Sequence, residues 1–120
     1  MDMKNSPLAL LQDPSLLRLD GLIDGQWVAP GERFAVDDPA TGLTLVPAIA
    51  DRGVAGLNVE WRQAIDAANR AWPAWRARPA KERGAIMMKW FHLIHQHADD
   101  LARIMTAEQG KPLSEAKGEV

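Results

Sequence analysis

Residues 105–120 read Met105-Thr106-Ala107-Glu108-Gln109-Gly110-Lys111-Pro112-Leu113-Ser114-Glu115-Ala116-Lys117-Gly118-Glu119-Val120. Gly110 is a left-handed stop for a helix that carries Leu101, Ile104 and Met105 on its apolar stripe. Pro112 then suits the first turn of a new helix, because its fixed φ fits there and its missing N–H is not needed. The new helix opens on Leu113-Ser114-Glu115-Ala116-Lys117 and reaches Val120 without a cap, which reads as a pattern that continues.

Working backwards, the helix stopped by Gly110 is expected to start at Asp99 or Asp100, whose carboxylates suit a helix N-terminus. A longer helix precedes it, from about Ala80 to Ala98, with Ile86, Met87, Trp90, Ile94 and His97 on one face and Lys81, Glu82, Lys89 and Gln96 on the other. Before that, Trp61, Ile65, Ala68 and Trp72 recur at helical spacing, with Asn58 placed to cap and Glu60 in the first turn. Pro73 is expected to end this helix at Trp72, leaving Trp75 in a connector closed by Pro79.

The period shortens toward the N-terminus. Leu19 to Ala50 reads as strands, followed by a loop over Asp51 to Asn58. In Leu22-Ile23-Asp24-Gly25-Gln26-Trp27-Val28 an Asp-Gly pair separates two short apolar pieces, a hairpin signal. Ala29-Pro30-Gly31 breaks the pattern and Phe34 to Asp37 is extended again. Asp38-Pro39-Ala40-Thr41-Gly42 is a turn in which Asp38 bonds the backbone ahead and Gly42 takes positive φ. The return strand, Leu43 to Ile49, contains Pro47, which requires an edge position or a strand end. Met1 to Arg18, with Pro7 and Pro14, reads as a leader that is partly ordered at best on its own. The expected organisation is therefore α+β: N-terminal β-hairpins followed by three to four helices, with a leader over 1–18 and one domain over 19–120. So few strands need a cover to be stable.

Composition narrows the function. Charged residues make up 25% of 120, the net charge is -2 and no basic stripe appears, which excludes a nucleic-acid footprint. No apolar run approaches the length of a membrane span, and the N-terminus lacks a signal-peptide pattern, so the expected compartment is the cytoplasm. There are 0 cysteines, which removes disulfides and thiol chemistry from these residues. The 5 tryptophans fit two arrangements: a local helical core, or packing against something outside the chain. The second also allows a stand-alone helical interaction module with a tryptophan-rich face. Burial of every tryptophan in a cooperatively folded monomer would mark such a module.

Few residues suggest a reaction. His92 and His95 share a helical face while His97 points elsewhere, which fits polar helix positions better than a metal site. Asp37-Asp38 and Asp99-Asp100 are adjacent pairs suited to turn and cap roles rather than to facing carboxylates. Gly53 and Gly56 form no phosphate-binding loop, and no Ser-His-Asp arrangement is evident.

Ordered blocks carry a resemblance. Leu22-Ile23-Asp24-Gly25-Gln26-Trp27, Asp38-Pro39-Ala40-Thr41-Gly42, Ala64-Ile65-Asp66-Ala67-Ala68 with Trp72-Pro73-Ala74-Trp75-Arg76, Pro79-Ala80-Lys81-Glu82-Arg83, and 105–120 follow one another as in the aldehyde dehydrogenases. The run 105–120 and Leu11-Gln12-Asp13-Pro14-Ser15-Leu16-Leu17 most resemble the succinate-semialdehyde branch, with the glutarate-semialdehyde enzymes next. The resemblance implies an α/β family fold in which these residues open the NAD(P)-binding domain. It also implies a homo-oligomeric enzyme that uses NAD or NADP to oxidise a small aldehyde. In that family a thiolate attacks the aldehyde, hydride passes to the nicotinamide, a glutamate base helps water release the acid, and an amide and a backbone N–H hold the oxyanion. The expected cysteine, glutamate and asparagine lie beyond the residues in hand, as do the main nucleotide contacts, so the chain is expected to be inactive alone.

One site is implied within the chain: a monovalent cation held near Val36, Asp37 and Glu108, the first two through backbone carbonyls. Glu108 stands where the family often has the shorter Asp. Asp38 stands where it commonly has Asn, and Gly53 to Asn58 resembles an insertion in a longer loop.

Overall fold

The computed structural model describes residues 6–28, 33–50 and 59–120. Among the described residues, two short antiparallel sheets precede four helices. In the first sheet β1 (Gly21–Ile23) pairs with β2 (Gln26–Val28), with Leu22 opposite Trp27. Asp24 and Gly25 both take positive φ, 52° and 75°, as a tight turn matched to the right-handed strand twist demands. In the second sheet β3 (Arg33–Asp37) pairs with β4 (Thr44–Ala50). The register slips between Phe34 and Val36 and again between Val36 and Asp37. Pro47 falls opposite the first slip, in a sheet that among the described residues has two strands, so its missing N–H disrupts no central ladder there.

The helices are α1 (Val59–Ala77), α2 (Ala80–Gln96), α3 (Ala98–Gln109) and α4 (Leu113–Glu119). Helix α1 runs straight through Pro73. The expected stop at Trp72 is therefore wrong, and Trp75 is helical rather than part of a connector. Pro73 removes one i→i−4 bond, but Asn69, whose carbonyl loses its donor, is exposed to water, and Ala71, Ala74 and Ala77 favour the helix on both sides. The turn ends where Arg78 N donates to Trp75 O at 3.2 Å. Helix α2 stops two residues short of the expected Ala98: His97 leaves helical geometry at φ −108°, ψ 15°, while its N–H still donates to Leu93 O and Ile94 O. Gly110 ends α3 at φ 76° and donates to Thr106 O at 2.8 Å. The loop expected over Asp51 to Asn58, with its cap Asn58, lies outside the described residues.

The core is small and draws on distant parts of the chain. Leu8, Leu45 and Ala107 are buried together, with Leu11, Leu17, Leu19, Val36 and Ile104 packed around them. The segment read as a partly ordered leader thus supplies a central side chain. It forms two 3-10 turns, Pro7–Leu10 and Pro14–Leu16, capped by Ser6 and Asp13. Helix α2 buries none of its residues: Met87, Met88, Phe91 and Leu93 are all about half exposed. No described helix is long and apolar enough to cross a membrane.

Candidate functional site

The implied cation site falls where the second hairpin meets the end of α3. Asp38 builds the turn. The residue is 4% exposed, its Oδ1 accepts from Ala40 N at 2.8 Å, and its carbonyl accepts from Gly42 N at 2.7 Å. Asp38 N donates across the turn to Leu43 O at 2.8 Å, and Gly42 sits at φ 68°. These bonds present Pro39 to Gly110 so closely that a Cβ on Gly110 would lie 2.7 Å from the Pro39 Cγ. The close approach makes the αL stop of α3 and the Asp-Pro turn one structural unit.

Val36 packs against the cluster that contains Ala107, the residue before Glu108. The structure therefore brings together the segments that carry Val36, Asp37 and Glu108. Asp37 Oδ1 accepts from Thr44 Oγ1 at 2.7 Å, which ties its side chain to β4 and leaves its backbone as the relevant oxygen. Desolvation by the surrounding protein pushes the Glu108 carboxyl above its ordinary pKa of 4.5, although the residue keeps an exposed face. A carboxylate raised by desolvation alone is electrostatically receptive to a cation. Among the described residues no three His, Cys, Asp or Glu side chains assemble into a metal cage, so any ion here would depend on carbonyl oxygens as well.

The other candidates resolve into structural roles. The Phe91 ring lies edge-on to His95 at 4.3 Å and to His92 at 5.5 Å, so both histidines flank an aromatic rather than converge on a metal. Of the paired carboxylates, Asp37-Asp38 serves its turn as expected. Asp99-Asp100 does not cap α3, which has no side-chain cap bond. Instead Asp99 pairs with Lys117 at 2.7 Å, and Asp100 turns inward to the backbone of Gln12 and Asp13. No local pattern signals that partner, which lies 87 to 88 residues away. Lys111 is mostly covered and pairs with Glu119. Burial of all tryptophans, the mark of a stand-alone module, is not met: Trp27, Trp72 and Trp90 are about half exposed.

The aldehyde dehydrogenase family model matches residues 27–120. The chain belongs to the aldehyde dehydrogenase family. It is 53% identical over 115 residues to the NADP(+) succinate-semialdehyde dehydrogenase of Escherichia coli, covering 92% of this chain and 22% of that protein. It is 47% identical over 112 residues to the glutarate-semialdehyde dehydrogenase of Pseudomonas putida, with the same coverage of 92% and 22%. The succinate-semialdehyde dehydrogenase crystal structure from Burkholderia pseudomallei superposes with a TM-score of 0.82 at 49% identity, covering 92% of this chain and 22% of that one. The chain thus spans about a fifth of the length of these aldehyde dehydrogenases. Hairpins followed by helices is the arrangement these relatives share, and the interaction-module alternative finds no support among them.

Proposed function

We propose that these residues are the N-terminal part of an NAD(P)-dependent aldehyde dehydrogenase that oxidises succinate semialdehyde, or a similar short semialdehyde, to the acid. The observation that carries the reading is 53% identity over 92% of the chain to an enzyme of that name. Glutarate-semialdehyde dehydrogenase at 47% makes the longer homologue the second substrate to try.

In this reading residues 19–120 open the cofactor domain and 1–18 are its leader. Their work is scaffolding. The 0 cysteines assign the thiolate nucleophile to other sequence, and no described glycine loop cradles a phosphate. The bound nicotinamide dinucleotide would accept the hydride. In this reading the Val36 and Asp37 carbonyls and the Glu108 carboxylate would hold a monovalent cation, supported by the packing of Val36 on the cluster that contains Ala107. The exposed apolar side chains of α2 fit a helix that packs against further protein, in one subunit of a homo-oligomer working in the cytoplasm.

The test is activity. The product of the complete coding sequence that contains these residues is assayed for NAD(P)H formation with succinate and glutarate semialdehydes. Turnover faster with the former supports the reading; absence of aldehyde-dependent reduction with either would sink it. The isolated 120-residue chain, which has 0 cysteines, is expected to give no turnover.

A further inference from the structure

We propose that residues 6–19 form a strap latched across α3 by Asp100, and that the latch positions the last turn of α3 against the β3–β4 hairpin. The inference stands apart from the reaction proposed above, because it rests on contacts within the chain alone.

Asp100 is 3% exposed, one of the most buried charged groups described. Burying a carboxylate is costly unless its oxygens are bonded. Here Oδ1 accepts from Gln12 N at 2.9 Å and Oδ2 from Asp13 N at 2.8 Å, so two successive backbone donors share one carboxylate. Its position in the first turn of α3 suggests a capping role, yet no side-chain cap bond is present. The neighbouring Asp99 takes the available ammonium, Lys117, leaving Asp100 to the strap.

A second contact lies at the far end of the same helix. Leu8 is 7% exposed and packs on Ala107 and Leu45. Asp100 and Ala107 are seven residues apart in α3, or about 10 Å at the helical rise. Leu8 and Gln12-Asp13 can cover that distance only in the opposite direction, so the strap runs antiparallel along α3 from its last turn to its first. Beyond the latch, the Asp13 carboxylate accepts from Ser15 N at 3.0 Å and Ser15 Oγ at 2.6 Å, capping the 3-10 turn Pro14–Leu16. Arg18 then lies over the Trp27 ring at 5.0 Å, which anchors the strap's end on the first hairpin.

The latch is the point of control along this path. A hollow of about 270 Å³, lined by Gln12, Asp13, Gln96, His97, Asp99 and Asp100, flanks it. Water can therefore reach the two N–H groups once the carboxylate is removed. Release there leaves Leu8 held only by apolar contact in the cluster it shares with Ala107 and Leu45, which together with the approach of Gly110 to Pro39 joins the last turn of α3 to the hairpin. Asp100 is thus a positioning residue: it acts on the last turn of α3 through the strap.

Residue-resolved amide hydrogen exchange on the full chain tests this. Asp100→Asn keeps the shape but replaces one acceptor with a donor. Exchange at Gln12 or Asp13 should accelerate on the order of 10- to 100-fold. Faster exchange should follow at the last turn of α3 and at Leu45, with the middle of α1 unchanged. Asp99→Asn should leave Gln12 and Asp13 protected. Gln12→Pro removes a donor from the strap side without touching α3; the preceding Leu11 is already extended (φ −65°, ψ 133°), as a residue before proline must be. It should reproduce the loss at the last turn of α3. Unchanged exchange at Gln12 and Asp13 in Asp100→Asn overturns the latch. Full protection of the last turn of α3 in Gln12→Pro overturns the positioning role, and that variant decides alone if Asp100→Asn unfolds the chain.

Discussion

Replacing Gly110 with alanine tests whether the Asp-Pro turn and the end of α3 are one unit. Two costs arise at this position. The first is backbone: Gly110 sits at φ 76°, and a Cβ in the left-handed region costs roughly 1–2 kcal/mol. The second is steric: the new Cβ would meet Pro39 Cγ at 2.7 Å and Pro39 Cβ at 3.4 Å. The ring cannot rotate away as a flexible side chain would, and the turn behind it is held by the Asp38 bonds. Overpacking of that kind adds about 1–3 kcal/mol. Gly42→Ala is the matched control, because Gly42 has nearly the same φ, 68°, with nothing within 4 Å of its Cβ position. It carries only the backbone cost. Urea unfolding followed by far-UV circular dichroism should therefore place Gly110→Ala about 1–3 kcal/mol below Gly42→Ala. Adding Pro39→Ala should recover most of that difference, since it removes the colliding Cγ; contacting residues couple by about 0.5–3 kcal/mol in such cycles. Equal midpoints for the two glycine variants, or no recovery in the double variant, would refute the reasoning.

Three further outcomes are expected. Leu8→Ala should destabilise the chain by about 2–3 kcal/mol in the same assay, since it removes the side chain buried with Leu45 and Ala107, whereas the exposed Leu10→Ala should change little. Asp38→Ala should cost about 1–3 kcal/mol by orphaning Ala40 N, while Asp38→Asn keeps an acceptor and should lie close to the parent. Glu108 carries a pH dependence, kept small by its exposed face: its folded pKa is raised by desolvation, so its stabilising protonation is complete below the ordinary 4.5 and is lost as pH rises through the folded value. Glu108→Gln should thus raise the neutral-pH midpoint and flatten the rise in stability on acidification. In the complete protein, a cation at this corner should lower the Glu108 titration midpoint in potassium chloride relative to tetramethylammonium chloride, as read by carbon NMR.

How much of this was legible in the sequence depends on the range of each signal. The tight turn at Asp24-Gly25 and the stop at Gly110 could be read because positive φ is a property of one or two residues, and few residue types tolerate it. The Asp38 turn was legible for the same reason: its bonds close within five residues. Pro73 misled, because the local rule weighs the lost hydrogen bond without knowing that Asn69 faces water. The leader and Asp100 could not have been found at all. Leu8 looks like any leucine in a proline-bracketed segment, and Asp100 fits a cap; what decides both is a partner most of the chain away. The candidate site lies between these cases. Val36, Asp37 and Glu108 carry no local signature of ion binding, and family resemblance singled them out. The close approach of Gly110 to Pro39 joins the segments that carry them, and that contact has a sequence trace only in retrospect: a glycine chosen for its φ is also the one residue small enough for the approach. The same atom that alanine would add is thus excluded twice, once by a local rule and once by a tertiary one. Only the excess loss in Gly110→Ala over Gly42→Ala separates the two.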